Sequence, residues 1–200
     1  NSQNKIKNQI KIISLIISDI INDPLELIAS GPTIPYVKSA ELTPKKILEK
    51  YNRTESLPTS IAQVTKRNED NQDISETVKN AQVFLAGNNR ASIDAAMKKA
   101  KSFNLLPIFL SDEVQGDVGD ISQAFFELAT TIKGSSSLRR GELSEILKIL
   151  HAQPNFEKEL LEALEVENSV NGICIVSGGE TTVKVTGDGQ GGRNQELALR

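Results

Sequence analysis

The chain has 200 residues, 38% hydrophobic and 24% charged, a length and balance that support the core of one or two globular domains and exclude a disordered chain. A formal net charge of -3, with 6 Phe and 2 Tyr, gives no basic field for a phosphate backbone and little surface for base stacking, so nucleic acid is not an expected partner. No apolar run approaches the roughly 18 residues of a membrane span, and the opening residues lack a signal-peptide core; no membrane partner is expected, and the expected setting is soluble and cytoplasmic.

Residues 12–17, IISLII, are dense enough in Ile to predict a strand buried on both faces of a parallel sheet. Ser18 and Asp19 follow at its carboxyl end. Ligands sit outside those ends in open α/β sheets, which makes Asp19 a candidate site residue; capping or turn hydrogen bonding is the plainer use, and equally common for Asp. Asn22, Asp23 and Pro24 then turn the chain, and residues 25–29 predict a helical turn before Ser30, Gly31, Pro32 and Thr33. Thr43 as N-cap with Pro44 at the first position opens a helix that reaches Tyr51, and Pro58 begins another. Residues 66–75 are polar and aperiodic and read as a solvated loop.

Residues 81–86 predict a strand, residues 91–103 an Ala-rich helix and residues 105–110 the next strand. This β-α-β order predicts a parallel α/β unit. Gly87, Asn88 and Asn89, at the end of the first of these strands, form a second candidate binding edge, with a helix N-cap as the alternative. The acidic stretch 111–119 lacks the order of a calcium loop and reads as solvated. A helix is predicted over 121–132, a linker over 134–141, and two helical segments over 142–166 broken at Gln153 and Pro154. His151 is the single His, which rules out a metal site made of several His and leaves the chemistry to carboxylates, Lys, Arg and backbone.

Residues 172–176 predict a strand holding the single Cys, Cys174, so no intramolecular disulfide can form. Residues 181–186 alternate and predict a second strand, leaving Ser177, Gly178 and Gly179 as the loop between the two. A glycine loop, 187–192, then leads into a helix from Arg193. The whole run 177–196, SGGETTVKVTGDGQGGRNQE, concentrates nearly half of the chain's 13 glycines. Gly loses more backbone freedom on folding than any other residue, so such density predicts close approach of backbone to a ligand. Unpaired N–H groups at the helix start favour an anion, and Arg193 is poorly placed for the helix dipole but well placed for a phosphate. Gly187, Gly189 and Gly192 also fit the dinucleotide pattern G-x-G-x-x-G, whereas the phosphate-loop pattern with Lys is absent. The plainer reading is a wide turn that only redirects the chain, against which stands the tight clustering of polar residues.

The segments Gly178-Gly179-Glu180-Thr181-Thr182 and Gly189-Gln190-Gly191-Gly192-Arg193-Asn194-Gln195-Glu196 resemble the MOFRL signature of class II glycerate kinases, older descriptions of which read hydroxypyruvate reductase. Ser18-Asp19, Asp23-Pro24 and Ile28-Ala29-Ser30-Gly31-Pro32-Thr33 resemble the SDV, GDP and IASGPT block of the same kinases. The chain departs at Ile21, at Asn22 where the family has Gly, and at Gly116-Asp117 where the family has Gly-Glu. Asn tolerates positive φ, so the turn at Asn22 is expected to persist.

The resemblance implies an α/β fold, a Rossmann-like parallel-sheet domain followed by the start of a smaller MOFRL domain, divided here as 1–166 and 167–200. It implies ATP-dependent phosphorylation of D-glycerate to phosphoglycerate, with ATP and Mg²⁺. Asp19, as base or metal ligand, and Arg193, which neutralises charge, are then the catalytic residues. Ser30, Gly31, Thr33, Gly178, Gly179, Thr181, Gly189, Gly191, Gly192 and Asn194 bind substrate or phosphate, and Glu180 and Glu196 help hold the metal. The family's catalytic Lys falls upstream of Asn1. The chain, which starts without Met and stops within a helix, is therefore expected to be cut at both ends and inactive alone, from a cytoplasmic or mitochondrial parent. Two other readings stay open: an NAD(P)-dependent hydroxypyruvate reductase, and a non-catalytic nucleotide-binding fragment.

Overall fold

The computed structural model describes residues 11–35, 43–54, 57–70, 80–134, 141–166 and 170–200; the side chains of 68–70 and 166 lie outside that description. The chain forms two compact units, one of Asn1–Ile16 with Pro24–Ala86, the other of Ile17–Asp23 with Gly87–Arg200.

In the first unit the Ile-rich run forms strand β1, Ile12–Ile17, which pairs with β2, Ala81–Gly87. The strand is where the sequence put it, but its burial is not. Ile13, Leu15 and Ile17 are 66%, 72% and 78% exposed, and Ile28 is the one buried hydrophobic residue described in this unit. A two-stranded sheet has too little packed surface to bury both faces of a strand. A short 3-10 turn, Ile28–Ser30, replaces the helical turn. Helix α1, Pro44–Lys50, starts as expected: the Thr43 side chain accepts the Lys46 N–H at 3.3 Å, and Pro44 fills the first position, where a missing N–H does no harm. Helix α2, Thr59–Asp70, runs through residues 66–70, which the sequence reading made a loop. That stretch lacks Gly and Pro and is rich in good helix formers, so polarity was a poor guide there; residues 71–75 lie outside the described residues.

The second unit is built on two parallel strands, β3 (Leu106–Asp117) and β4 (Ile173–Thr182), in register from Leu106 with Ile173 to Asp117 with Thr182. Helix α3, Asn89–Ser102, packs on both strands. Its Arg90 guanidinium lies 4.4 Å from the centre of the Phe109 ring. The alternate residues of β3, Ile108 and Leu110, enter the main core with Ile121, Ala124 and Leu128 of α4 (Val118–Gly134) and with Phe156, Leu160 and Ala163 of α6 (Phe156–Val166). Leu143 and Leu150, which flank α5 (Ser144–Ile149), are fully buried in the same core. The break between α5 and α6 is the expected one, and the Gln153 N–H there donates to Leu110 O at 2.7 Å, tying the turn to the sheet. The seven-residue helix α7, Arg193–Leu199, rests on this core through Leu197.

Three expectations about the sheets change. The β-α-β order holds along the chain, but β2 pairs with β1 and β3 with β4, so the two strands flanking α3 are not partners. The acidic stretch after Leu110 is strand as far as Asp117. Residues 173–182 form one strand, and Val183 to Thr186 are not strand, so Ser177, Gly178 and Gly179 are no loop between two strands. The mixed α/β class with parallel pairing is as expected.

The physical reason for the last two changes is shared. β3 carries irregularities between Phe109 and Ser111 and between Ser111 and Val114, where it spends two more residues than β4. Bulges of this kind let a strand continue through a sequence that does not alternate. Opposite them, the glycines of β4 accept the displaced backbone: Gly179 has φ +141°, and a Cβ there would overlap the backbone of Val114. Ser111, buried, steadies the bulge by accepting the Glu113 N–H at 3.1 Å.

Candidate active site

The segment Ile17–Asp23 leaves β1 but belongs to the second unit. Its Ser18 N–H donates to Gly87 O at 2.9 Å, and the Ile20 N–H donates to the buried Ser18 Oγ at 3.3 Å. These bonds close a tight loop that leaves Asp19 exposed. The loop ends in two residues of left-handed conformation, Asn22 at φ 65° and Asp23 at φ 50°, so Asn22 does adopt the backbone for which Gly would otherwise be chosen. The Asp23 carboxylate accepts from Asn88 Nδ2 at 2.5 Å, while Asn88 Oδ1 accepts the Ala91 N–H at 2.9 Å and caps α3.

Asn89 turns the other way. Its Nδ2 donates to Asp112 O at 2.9 Å, and its carboxamide fills the space that a Cβ on Gly178 would need. Gly178 and Gly179 thus let α3 and the β3 bulge crowd against β4 just before Glu180. The Glu180 carboxylate forms an ion pair with Arg193, both side chains being nearly half exposed.

Asp19, Asn88, Asn89, Gly179, Glu180, Arg193 and Asn194 line a single cavity of about 540 Å³ whose lining residues all belong to the second unit. A second cavity, of about 570 Å³, is lined by Gly187, Gly189, Gly191 and Gly192 with Asp117, Lys184, Glu196 and Arg200. Arg193 and Asn194 face the first cavity, and Gln195 and Glu196 the second, so the opening turn of α7 is a wall of both. Glu196 is occupied by Arg200, whose Nη2 lies 2.7 Å from its carboxylate.

The structure therefore brings Asp19, Gly179, Glu180, Arg193 and Asn194 together and sets Gly189, Gly191, Gly192 and Glu196 around the neighbouring cavity. Ser30, Gly31 and Thr33 lie in the first unit and line neither. There Ala29, Ser30 and Gly31 take positive φ in succession, and Thr33 Oγ1 shares a 2.8 Å hydrogen bond with Ser14 Oγ. Gly178 and Thr181 line neither cavity. Thr181 is buried, and its Oγ1 is, among the described residues, the buried side-chain oxygen without a hydrogen-bond partner. Gly87, Asn88 and Asn89, expected as a binding edge or a helix N-cap, serve as both, since all three line the first cavity and Asn88 caps α3; the roles of Ser18 and Asp23 in holding the Asp19 loop were not foreseen. An Asn before an Ala-rich helix signals a cap, but nothing local reveals a bond to a carboxylate 65 positions away.

The dinucleotide pattern fits this geometry less well. Gly187 comes five residues after β4 ends at Thr182, whereas a dinucleotide-binding loop leaves its strand directly. Among the described residues no helix is long and apolar enough to cross a membrane.

Two family models match the chain, a domain of unknown function (DUF4147) over residues 4–66 and the MOFRL family over residues 173–200. Glycerate kinase of Bos taurus is 34% identical over 199 residues, which cover 95% of this chain and 37% of that protein. D-glycerate 2-kinase of Thermotoga maritima is 30% identical over 193 residues, 94% of this chain and 36% of its own length. The crystal structure of glycerate kinase from Thermotoga maritima is similar with a TM-score of 0.56 at 26% identity, covering 94% of this chain and 36% of that one. The chain spans little more than a third of the length of these relatives. Asp19 of one resembling block and Glu180 and Arg193 of the other lie on one cavity, and over 95% of its length the chain is homologous to a part of the glycerate kinases.

Proposed function

We propose that the cavity bearing Asp19, Glu180 and Arg193 is the phosphoryl-transfer site of an ATP-dependent glycerate kinase. The observation that carries the reading is that these three groups, from three separate stretches of chain, line one cavity. Phosphoryl transfer needs little covalent chemistry from a protein, mainly positioning and charge neutralisation. In the proposed step a hydroxyl oxygen of D-glycerate attacks the γ-phosphorus, the bond from that phosphorus to the β–γ bridging oxygen breaks, and ADP leaves. Asp19 receives the hydroxyl proton, and Arg193 offers a planar fork of N–H donors to the phosphoryl oxygens as charge spreads over them. The 2-hydroxyl is the proposed acceptor, in line with the name of the Thermotoga maritima relative.

The Arg193–Glu180 pair suits this role. A half-exposed ion pair contributes about 0–1 kcal/mol, so a phosphate of higher charge competes for the guanidinium at little cost. Released Glu180 and Asp19 give two carboxylates on one cavity. Mg²⁺ in phosphoryl-transfer sites is held by one or two carboxylates with phosphate oxygens and water, so the donor set fits it. When bound there, Mg²⁺ would neutralise phosphate charge. Gly189, Gly191 and Gly192 are assigned to phosphate oxygens of the nucleotide and Asn194 to the transferred phosphoryl group beside Arg193; Ser30, Gly31 and Thr33, in the first unit, are given no part in this site.

Thermal unfolding of the chain with Mg²⁺·ATP and with NADH tests the reading. A ligand at about 100 times its dissociation constant stabilises the native state by about 2.7 kcal/mol. Protection by Mg²⁺·ATP that is lost in Arg193→Ala is expected. Protection by NADH equal to that by Mg²⁺·ATP would favour a reductase and overturn the proposal.

A further inference from the structure

We propose that Asn88 is a positioning residue for Asp19, an inference that rests on the kinase reading of the cavity. Its carboxamide is used at both ends: Oδ1 takes the Ala91 N–H and caps α3, while Nδ2 donates to the Asp23 carboxylate. Asp23 closes the loop that carries Asp19, and it sits at φ 50°, in the left-handed region that Asp tolerates better than most residues. The other end of the loop is pinned by the Ser18 N–H on Gly87 O, one residue before Asn88. Gly87 and Asn88 therefore grip the Ser18–Asp23 loop at both ends and attach it to the start of α3. The adjacent Asn89 fastens that start to the β3 bulge through Asp112 O, beside Gly178 and close to Glu180. Asn88 is the piece that carries this rigidity across to the carboxylate of the loop.

The chemistry of the pair separates positioning from capping. Asp is as good an N-cap as Asn, so Asn88→Asp keeps α3 capped. It replaces the donor facing Asp23 by a carboxylate oxygen, and two like charges then meet where a hydrogen bond stood. Asp23→Asn leaves a neutral pair that can still bond, and Asn tolerates positive φ at least as well as Asp. The double variant Asn88→Asp with Asp23→Asn restores one donor and one acceptor with their places exchanged.

The experiment follows amide hydrogen exchange and Mg²⁺·ATP affinity in the wild-type chain, the two single variants and the double variant, at a temperature where all are folded. For Asn88→Asp we expect the Ser18 and Asp23 amides to exchange about tenfold faster or more, the amides of α3 to be unchanged, and Mg²⁺·ATP affinity to fall about tenfold. The double variant should recover both quantities. If Asn88→Asp behaves as wild type, or the double variant recovers nothing, Asn88 is only a cap and the proposal is overturned. Faster exchange with unchanged affinity would break the link from the loop to Asp19, with the same result. If the wild-type chain binds no Mg²⁺·ATP, the kinase reading falls on its own, and the exchange pattern alone decides whether Asn88 holds the loop.

Discussion

Gly179 stands where any side chain would enter the backbone of Val114, in a conformation, φ +141°, that L-residues rarely adopt. The two facts have one cause: β3 bulges toward β4 at that point, and only a residue without Cβ can pair with it.

Gly179→Ala should therefore be strongly destabilising. Forcing the φ costs on the order of 1–3 kcal/mol, and overpacking against backbone that cannot yield costs about 1–3 kcal/mol more. Gly187→Ala is the comparison, since its Cβ would meet nothing within 4 Å and its φ is ordinary. A change within about 0.5 kcal/mol is expected there. Urea unfolding of both variants checks the pair of values; equal stabilities would mean that the β3–β4 register at Gly179 is wrong.

A second prediction concerns Gly178 and Asn89. Here the obstacle to a Cβ is a side chain, so the clash is conditional. Gly178→Ala alone should displace the Asn89 carboxamide and break its bond to Asp112 O. Asn89→Ala alone loses the same bond. The double variant loses it only once and has room for the new methyl, so the two changes should be less than additive, with a coupling of about 0.5–3 kcal/mol. Strict additivity in denaturant unfolding would show that the two residues do not touch.

These glycines also show what the sequence could and could not reveal. Their density signalled close approach, and in the 178–179 pair the approaching group is the protein itself, β3 and α3, before any ligand is considered. The strand was read as broken there because Gly is a poor strand former, a preference that tertiary pairing overrides. Local signals did better where the cause was local: Thr43 with Pro44, the break at Pro154 and the Ile run of β1 all formed the expected elements. Asp19 and Arg193 were individually legible from charge and setting, and Glu180 only through the family resemblance. Their shared cavity was not, because it depends on β4 pairing with β3 and on Asn88 reaching Asp23, contacts between residues far apart in sequence.

In an active glycerate kinase that contains this segment, Arg193→Ala should lower kcat much more than it raises KM for glycerate, measured as initial rates with ATP, Mg²⁺ and D-glycerate. Charge on the transferred group is most in need of neutralisation in the transition state, and losing such a contact typically costs about 10²–10³-fold in kcat. Fold integrity should be unaffected, since the half-exposed pair with Glu180 contributes little. A change confined to KM would make Arg193 a ground-state binding group.

Thr181 sets the last prediction because its stability and binding effects have opposite signs. It is 4% exposed, in the strand that carries Glu180, and among the described residues its hydroxyl has no hydrogen-bond partner. A buried hydroxyl left unpaired costs on the order of 1–3 kcal/mol, and Val has nearly the same shape without the oxygen. Thr181→Val should thus raise the unfolding free energy of the ligand-free chain by about 1 kcal/mol or more. If the hydroxyl is kept for phosphate, as its place in the signature segment implies, the same substitution should weaken Mg²⁺·ATP binding by about tenfold, a hydrogen bond to a charged group being worth about 1.5–3 kcal/mol. Thr181→Ser keeps the hydroxyl, loses a buried methyl, and should reverse both signs, with lower stability and affinity close to wild type. Denaturant unfolding and nucleotide titration on the same three proteins measure both quantities. Higher stability with unchanged affinity in Thr181→Val would remove Thr181 from the phosphate site, and lower stability would mean that the hydroxyl is bonded within the fold after all.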